Sequence, residues 1–97
     1  KMRNYEIMYI LKADLDEAGR AAEKENLHKL ITDNGGEVKK VDESLGLREL
    51  AYPIKDEVKG YYVVIKVSAG DQGLYQFNRK IRHNPNVLRH LVVVEHE

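Results

Sequence analysis

Cysteine and tryptophan are absent from this sequence, phenylalanine occurs once, proline twice, and the net charge is zero. Each shortage excludes something. Without cysteine there is no disulfide framework and no thiolate metal site, and a reducing compartment is permitted. No stretch approaches the ~20 apolar residues a membrane span needs. The most apolar runs, Tyr61–Ile65 and Leu91–Val94, are strand-sized. The start, Lys1-Met2-Arg3-Asn4, lacks the apolar core of a signal peptide, and Lys1 ahead of Met2 reads as an added residue before the natural start. Ninety-seven residues suit one small domain, 1–97, rather than two domains or a large enzyme with a deep cleft.

Zero net charge argues against a nucleic-acid binder, which usually has a basic surplus. The distribution argues the other way. Residues 1–71 hold twelve basic and fourteen acidic side chains. Residues 72–94 hold Arg79, Lys80, Arg82 and Arg89, two histidines (His83 and His90) and no acid, before Glu95 and Glu97 restore the balance. A mildly acidic body thus precedes a basic late segment.

The hydrophobic pattern predicts the order β-α-β-β-α-β. Tyr5, Ile7, Tyr9 and Leu11 alternate with Glu6, Met8, Ile10 and Lys12, predicting a strand over Asn4–Lys12. Leu15 to about Asp33 has helical spacing, with Asp14 or Asp16 as cap. Its expected apolar row is Ala18, Ala22, Asn26 and Leu30, with Leu27 and Ile31 beside it. Asn34-Gly35-Gly36 stops it. Glu37–Glu43 reads as a charged edge strand and Leu45–Tyr52 as its extension, with Gly46 a bulge or bend. Pro53 is expected to end that run and Lys55–Lys59 to form a loop. Tyr61–Ser68 is the clearest strand. Asp71 is the expected cap of a second helix reaching about His83, with Leu74, Phe77 and Ile81 inward; Asn84-Pro85-Asn86 turns the chain into a last strand, Val87–Glu95. This is the α+β, ferredoxin-like βαββαβ pattern: a four-stranded antiparallel sheet with both helices on one face.

Strands one and three are central in that arrangement. Ile7, Tyr9 and Leu11, and Tyr61, Val63, Ile65 and Val67, are assigned to the helix-covered face. The opposite face has polar ends around Met8, Ile10, Tyr62 and Val64, which is how a docking surface is built. Arg48 and Leu50 on the edge strand extend it.

Catalytic and metal motifs are missing. His28, His83, His90 and His96 have no ligand spacing and read as surface or helix-end residues. Ser44 and Ser68 lack a nucleophile context, and no phosphate-binding glycine motif occurs. The acylphosphatases share the predicted fold and hold phosphate after strand one. Here that loop, Lys12–Glu17, has three acids and no glycine, so it repels phosphate. The RNA-recognition motif also shares the topology. Lys59-Gly60-Tyr61-Tyr62-Val63-Val64-Ile65-Lys66 begins like its third-strand signature, but Val63 and Lys66 replace the stacking aromatics. No enzyme, metal or cofactor is expected.

One stretch is specific: Leu45-Gly46-Leu47-Arg48-Glu49-Leu50-Ala51-Tyr52-Pro53-Ile54. With Met2-Arg3-Asn4-Tyr5-Glu6 before it, Gly60-Tyr61-Tyr62 after it, and Arg82, Asn86-Val87-Leu88-Arg89 and Val92-Val93 near the end, it resembles the bacterial small-subunit ribosomal protein S6 family over about Met2 to Val94. The chain departs in having Leu45 where many members have an aromatic, and it stops at Glu97, without the long acidic tail of some members. The resemblance implies a structural role in the cytoplasmic ribosome. It implies pairing with ribosomal protein S18 and joint binding to the central domain of small-subunit rRNA. The chain is then expected to be a monomer when isolated and a heterodimer with its partner, with no membrane association. The expected RNA contacts are Arg3, Tyr5, Arg82, Arg89 and His90; the expected partner face is Met8, Ile10, Arg48, Leu50, Tyr62 and Val64. The alternative is a ferredoxin-like regulatory or oligomerisation module that pairs with itself and binds a protein or metabolite.

Overall fold

The computed structural model describes residues 1–96; Glu97, the last acid of the sequence, lies outside the described residues. The elements run β1 (Arg3–Lys12), α1 (Glu17–Thr32), β2 (Glu37–Ile54), β3 (Glu57–Ala69), α2 (Asp71–Arg82) and β4 (Val87–Val94). One antiparallel sheet has the order β2-β3-β1-β4, so β1 and β3 are central, as expected.

Helix α1 begins where the Asp16 carboxylate accepts the Gly19 N–H at 2.7 Å, satisfying one of the amides a helix start leaves unpaired. It ends at Asp33, and Gly35, at φ 86°, takes the reversal that follows. Its inward row is not the expected one. Ala18, Ala22 and Asn26 are exposed, whereas Leu27 and Ile31 are buried with Leu15 and Leu30 packed against them. Branched side chains bury more apolar area than alanines, and the helix turns accordingly. Helix α2 also starts differently: Gly70 is the N-cap, without a side-chain cap, and Asp71 is the first helical residue, where its charge complements the helix dipole. Phe77 and Ile81 are buried and Leu74 is packed against the core.

The long β2–β3 hairpin is the main departure. Pro53 does not end β2, which runs 18 residues to Ile54. Lys55 and Asp56, both at positive φ (51° and 65°), make a two-residue turn, and Glu57–Lys59 is strand rather than loop. Positive φ at both turn residues matches the twist of the flanking strands. Gly46, at φ 57°, sits where the register shifts between Asp42 and Gly46, so it is the expected bulge.

The core lies between the helices and one sheet face. Ile7, Tyr9, Leu11, Val63, Ile65 and Val67 meet Leu27, Ile31, Phe77 and Ile81 there. A polar cluster edges it. The Tyr61 hydroxyl donates to Glu43 Oε1 at 2.6 Å, Lys24 Nζ donates to Glu43 Oε2 at 2.6 Å, and the Arg20 guanidinium lies 4.3 Å over the Tyr61 ring. His28 belongs to this region and not to the surface: its Nε2 is 2.9 Å from the Tyr9 hydroxyl. Among the described residues, no buried side-chain polar atom lacks a hydrogen-bond partner.

Candidate protein and RNA interface

Paired residues on neighbouring strands point to the same side of a sheet. The register therefore lays out the face away from the helices in three rows. Arg89, Ile10 and Tyr62 form one; Leu91, Met8, Val64 and Asp42 the next; Val93, Glu6 and Lys66 the third. Met8, Val64, Leu91 and Val93 line one shallow groove with Glu6. Leu91 is 55 % and Val93 49 % exposed, so this apolar centre is open to solvent. Its rim is charged. Lys66 Nζ lies 3.6 Å from the Glu95 carboxylate, and the Arg48 guanidinium is 5.9 Å from the Tyr62 ring centre. Hydrogen bonds from Ser44, the backbone amide first, hold the Asp42 carboxyl below its ordinary range.

Six residues were expected on this face, and Met8, Arg48, Leu50, Tyr62 and Val64 are partly or fully accessible. Ile10 is corrected: it points to this side but is only 3 % exposed. The hairpin overhangs the end of β1, because Lys12 pairs with Gly60 and ten further residues reach from Leu50 to Lys59. Leu50 and Ile10 both lie against the bare Cα of Gly60, so Leu50 closes over Ile10. The overhang then reaches β4. The Arg89 guanidinium donates to the Tyr52 hydroxyl and lies 5.3 Å from its ring centre, and Lys55 Nζ donates to the Val87 carbonyl at 3.2 Å. The sequence reading missed Leu91, Val93 and Tyr52. The period-two series Arg89, Leu91, Val93 was the available signal for two of them.

The basic residues divide. Arg82, at the exposed end of α2, lies close enough to His90 to disfavour its charge, and Arg89 adjoins His90 on β4. His90 points to the helix side, with Nε2 3.2 Å from Asn78 Oδ1; burial first, then Arg82, holds its pKa below the ordinary value. It is therefore a neutral tie between β4 and α2 rather than a cation. One expectation is corrected. Tyr5 is 4 % exposed and packed in the core, so it has no face free for stacking. Arg3 and Arg89 do not share a surface. Arg89 pairs with Ile10, seven residues from Arg3, about 23 Å along the strand, and the two point to opposite sides of the sheet.

Among the described residues, no group of His, Asp or Glu is arranged to hold a metal, and no helix is long and apolar enough to cross a membrane. A ferredoxin-like sheet with helices on one side and, on the other, an open apolar face with charged residues around it defines a small protein of α+β architecture with a surface suited to binding. The sequence model for ribosomal protein S6 matches residues 4–94. Small ribosomal subunit protein bS6 of Shouchella clausii is 44 % identical over 96 residues, covering 99 % of this chain and 100 % of that protein. The bS6 protein of Halalkalibacterium halodurans is 42 % identical with the same coverage. Among solved structures, 30S ribosomal protein S6 from Thermotoga maritima superposes with a TM-score of 0.89 at 30 % identity, over 98 % of this chain and 89 % of that one. The chain belongs to the ribosomal protein S6 family. Its role is structural, in the small ribosomal subunit, and not enzymatic.

Proposed function

We propose that the open sheet face takes ribosomal protein S18 and that the cationic edge at Arg82 and Arg89 binds the central domain of small-subunit rRNA alongside it. The observation that supports this reading best is the exposed groove of Met8, Val64, Leu91 and Val93 with the acids Asp42 and Glu6 beside it. An apolar centre with charged groups of both signs around it, Glu6, Asp42 and Glu95 among Lys66 and Arg48, suits a small protein partner, whose arginines the acids would take. Arg89 stands where the two surfaces meet, which would let one residue serve a joint protein–RNA interface.

Arginine offers forked donors to phosphate oxygens, and such contacts position a protein on RNA without reading sequence. Arg3, at the far end of β1, is a separate contact in this scheme. Three phosphate contacts give log K a slope of about −2 to −3 against log salt, whereas a flat salt response rejects the electrostatic reading. Val64→Asp puts an unpaired charge into the groove and is expected to weaken S18 affinity by at least about tenfold while the fold persists, measured by calorimetry and circular dichroism. Unchanged affinity would mean that the docking face lies elsewhere.

The same groove would accept a second copy of the chain, which is the self-pairing alternative. Light scattering separates the two: a monomer in isolation supports the ribosomal pairing, and a dimer supports the other.

A further inference from the structure

Glu23, half-buried on α1, reaches the turn between α2 and β4. Asn84 Nδ2 donates to its Oε1 at 2.8 Å and Asn86 Nδ2 to its Oε2 at 2.7 Å. The carboxylate thus grips both asparagines of the Asn84-Pro85-Asn86 turn at once. The turn is closed further from within and from β1. The Asn86 N–H donates to Asn84 Oδ1 at 2.9 Å, the Val87 N–H to the Asn84 carbonyl at 3.1 Å, and the Lys12 N–H to the Asn86 carbonyl at 3.0 Å. Pro85 fixes its own φ between them. Hydrogen bonds to an ionised carboxylate are roughly twice as strong as neutral ones, so Glu23 is the firmest tie of the turn to the rest of the molecule.

The turn lies in the chain between Arg82, at the end of α2 on the helix side, and Arg89, which points to the open side of the sheet at β4. Arg82 is two residues before Asn84, and Arg89 is three residues after Asn86. We propose that Glu23 is a positioning residue for RNA binding: its bidentate grip on Asn84 and Asn86 fixes the spacing and direction of Arg82 and Arg89. The inference rests on the RNA-binding reading above. It has a counter-intuitive sign. Glu23 is an acid beside a cationic edge, so removing its charge should, on electrostatics alone, tighten binding to phosphates. Positioning requires the opposite.

The experiment measures binding of small-subunit rRNA, with S18 present, to the wild type, Glu23→Ala, Arg82→Ala and the double variant across a salt series. It is run at a temperature where melting curves show every variant folded. Glu23→Ala is expected to weaken binding about two- to tenfold and to flatten the salt slope by about 1. Arg82→Ala is expected to cost less in the Glu23→Ala background than in the wild type, as coupled residues do. The paired change Asn84→Ala and Asn86→Ala, which leaves the acid in place, is expected to weaken binding in the same way and serves if Glu23→Ala fails to fold. Tighter or unchanged binding, or full additivity with an unchanged slope, overturns the inference. If Arg82→Ala weakens binding and Glu23→Ala does not, the positioning role alone fails. If Arg82→Ala has no effect, the RNA reading of this edge fails and the inference falls with it.

Discussion

Gly60 shows how a single residue shapes the open face. A Cβ there would fall inside the contact distance of the Ile10 Cγ2 methyl and press on Leu50 Cδ2. Gly60→Ala therefore overpacks the junction between β1, β3 and the overhang. It is expected to cost about 1–3 kcal/mol of stability by urea denaturation; an unchanged midpoint would show that Leu50 does not press on this site. His28 gives a second residue-level test. Burial first, then Lys24, lowers its pKa from the ordinary 6.5, while Glu43 opposes them. A histidine whose pKa is lowered in the fold binds fewer protons there than in the unfolded chain. Stability is then full above about 6.5 and falls as pH drops through the window below it. Glu43, whose pKa is lowered first by the Lys24 hydrogen bond and then by Tyr61, loses its contribution at still lower pH, in the same direction. The melting temperature should fall between pH 7 and pH 5, and His28→Gln should flatten that fall. Identical profiles for the two proteins would remove His28 as the cause. The His28–Tyr9 bond was not legible in the sequence, because it depends on which way helix α1 turns. The burial of Tyr5 was: it alternates with Ile7, Tyr9 and Leu11, which favours a packed ring over a stacking one.

The elements were legible where periodicity was strong and misread where backbone geometry decided. Strand β1 and helix α2 follow from alternation and i, i+3, i+7 spacing, and the central position of β3 from the βαββαβ order. The hairpin does not. Lys55-Asp56 lacks the Asn-Gly or Asp-Gly pair that announces a two-residue turn, and Pro53 sits near the end of an edge strand, where a missing N–H costs little. The consequence is functional. The stretch Leu45–Ile54 builds the second half of β2. There Gly46 bulges, Arg48 approaches Tyr62, Leu50 covers Ile10 and Tyr52 meets Arg89. These residues shape one side of the open face. The fourth strand supplies the other side through Leu91 and Val93, which the period-two series Arg89, Leu91, Val93 places on one face.

At the scale of the molecule, the zero net charge resolves into geography. The late basic segment is divided by the fold: Arg82 and Arg89 flank the start of β4, while the acids Glu6, Asp42 and Glu95 belong to the open face and its rim. With basic and acidic side chains equal in number, the chain's RNA affinity is expected to depend on a more basic partner sharing the interface. The decisive comparison is titration of the purified chain with a central-domain fragment of small-subunit rRNA, with and without S18, at near-physiological salt. Weak or undetectable binding alone and tight binding with S18, lost again on Val64→Asp, is the predicted result. Equally tight binding with and without S18 would contradict it.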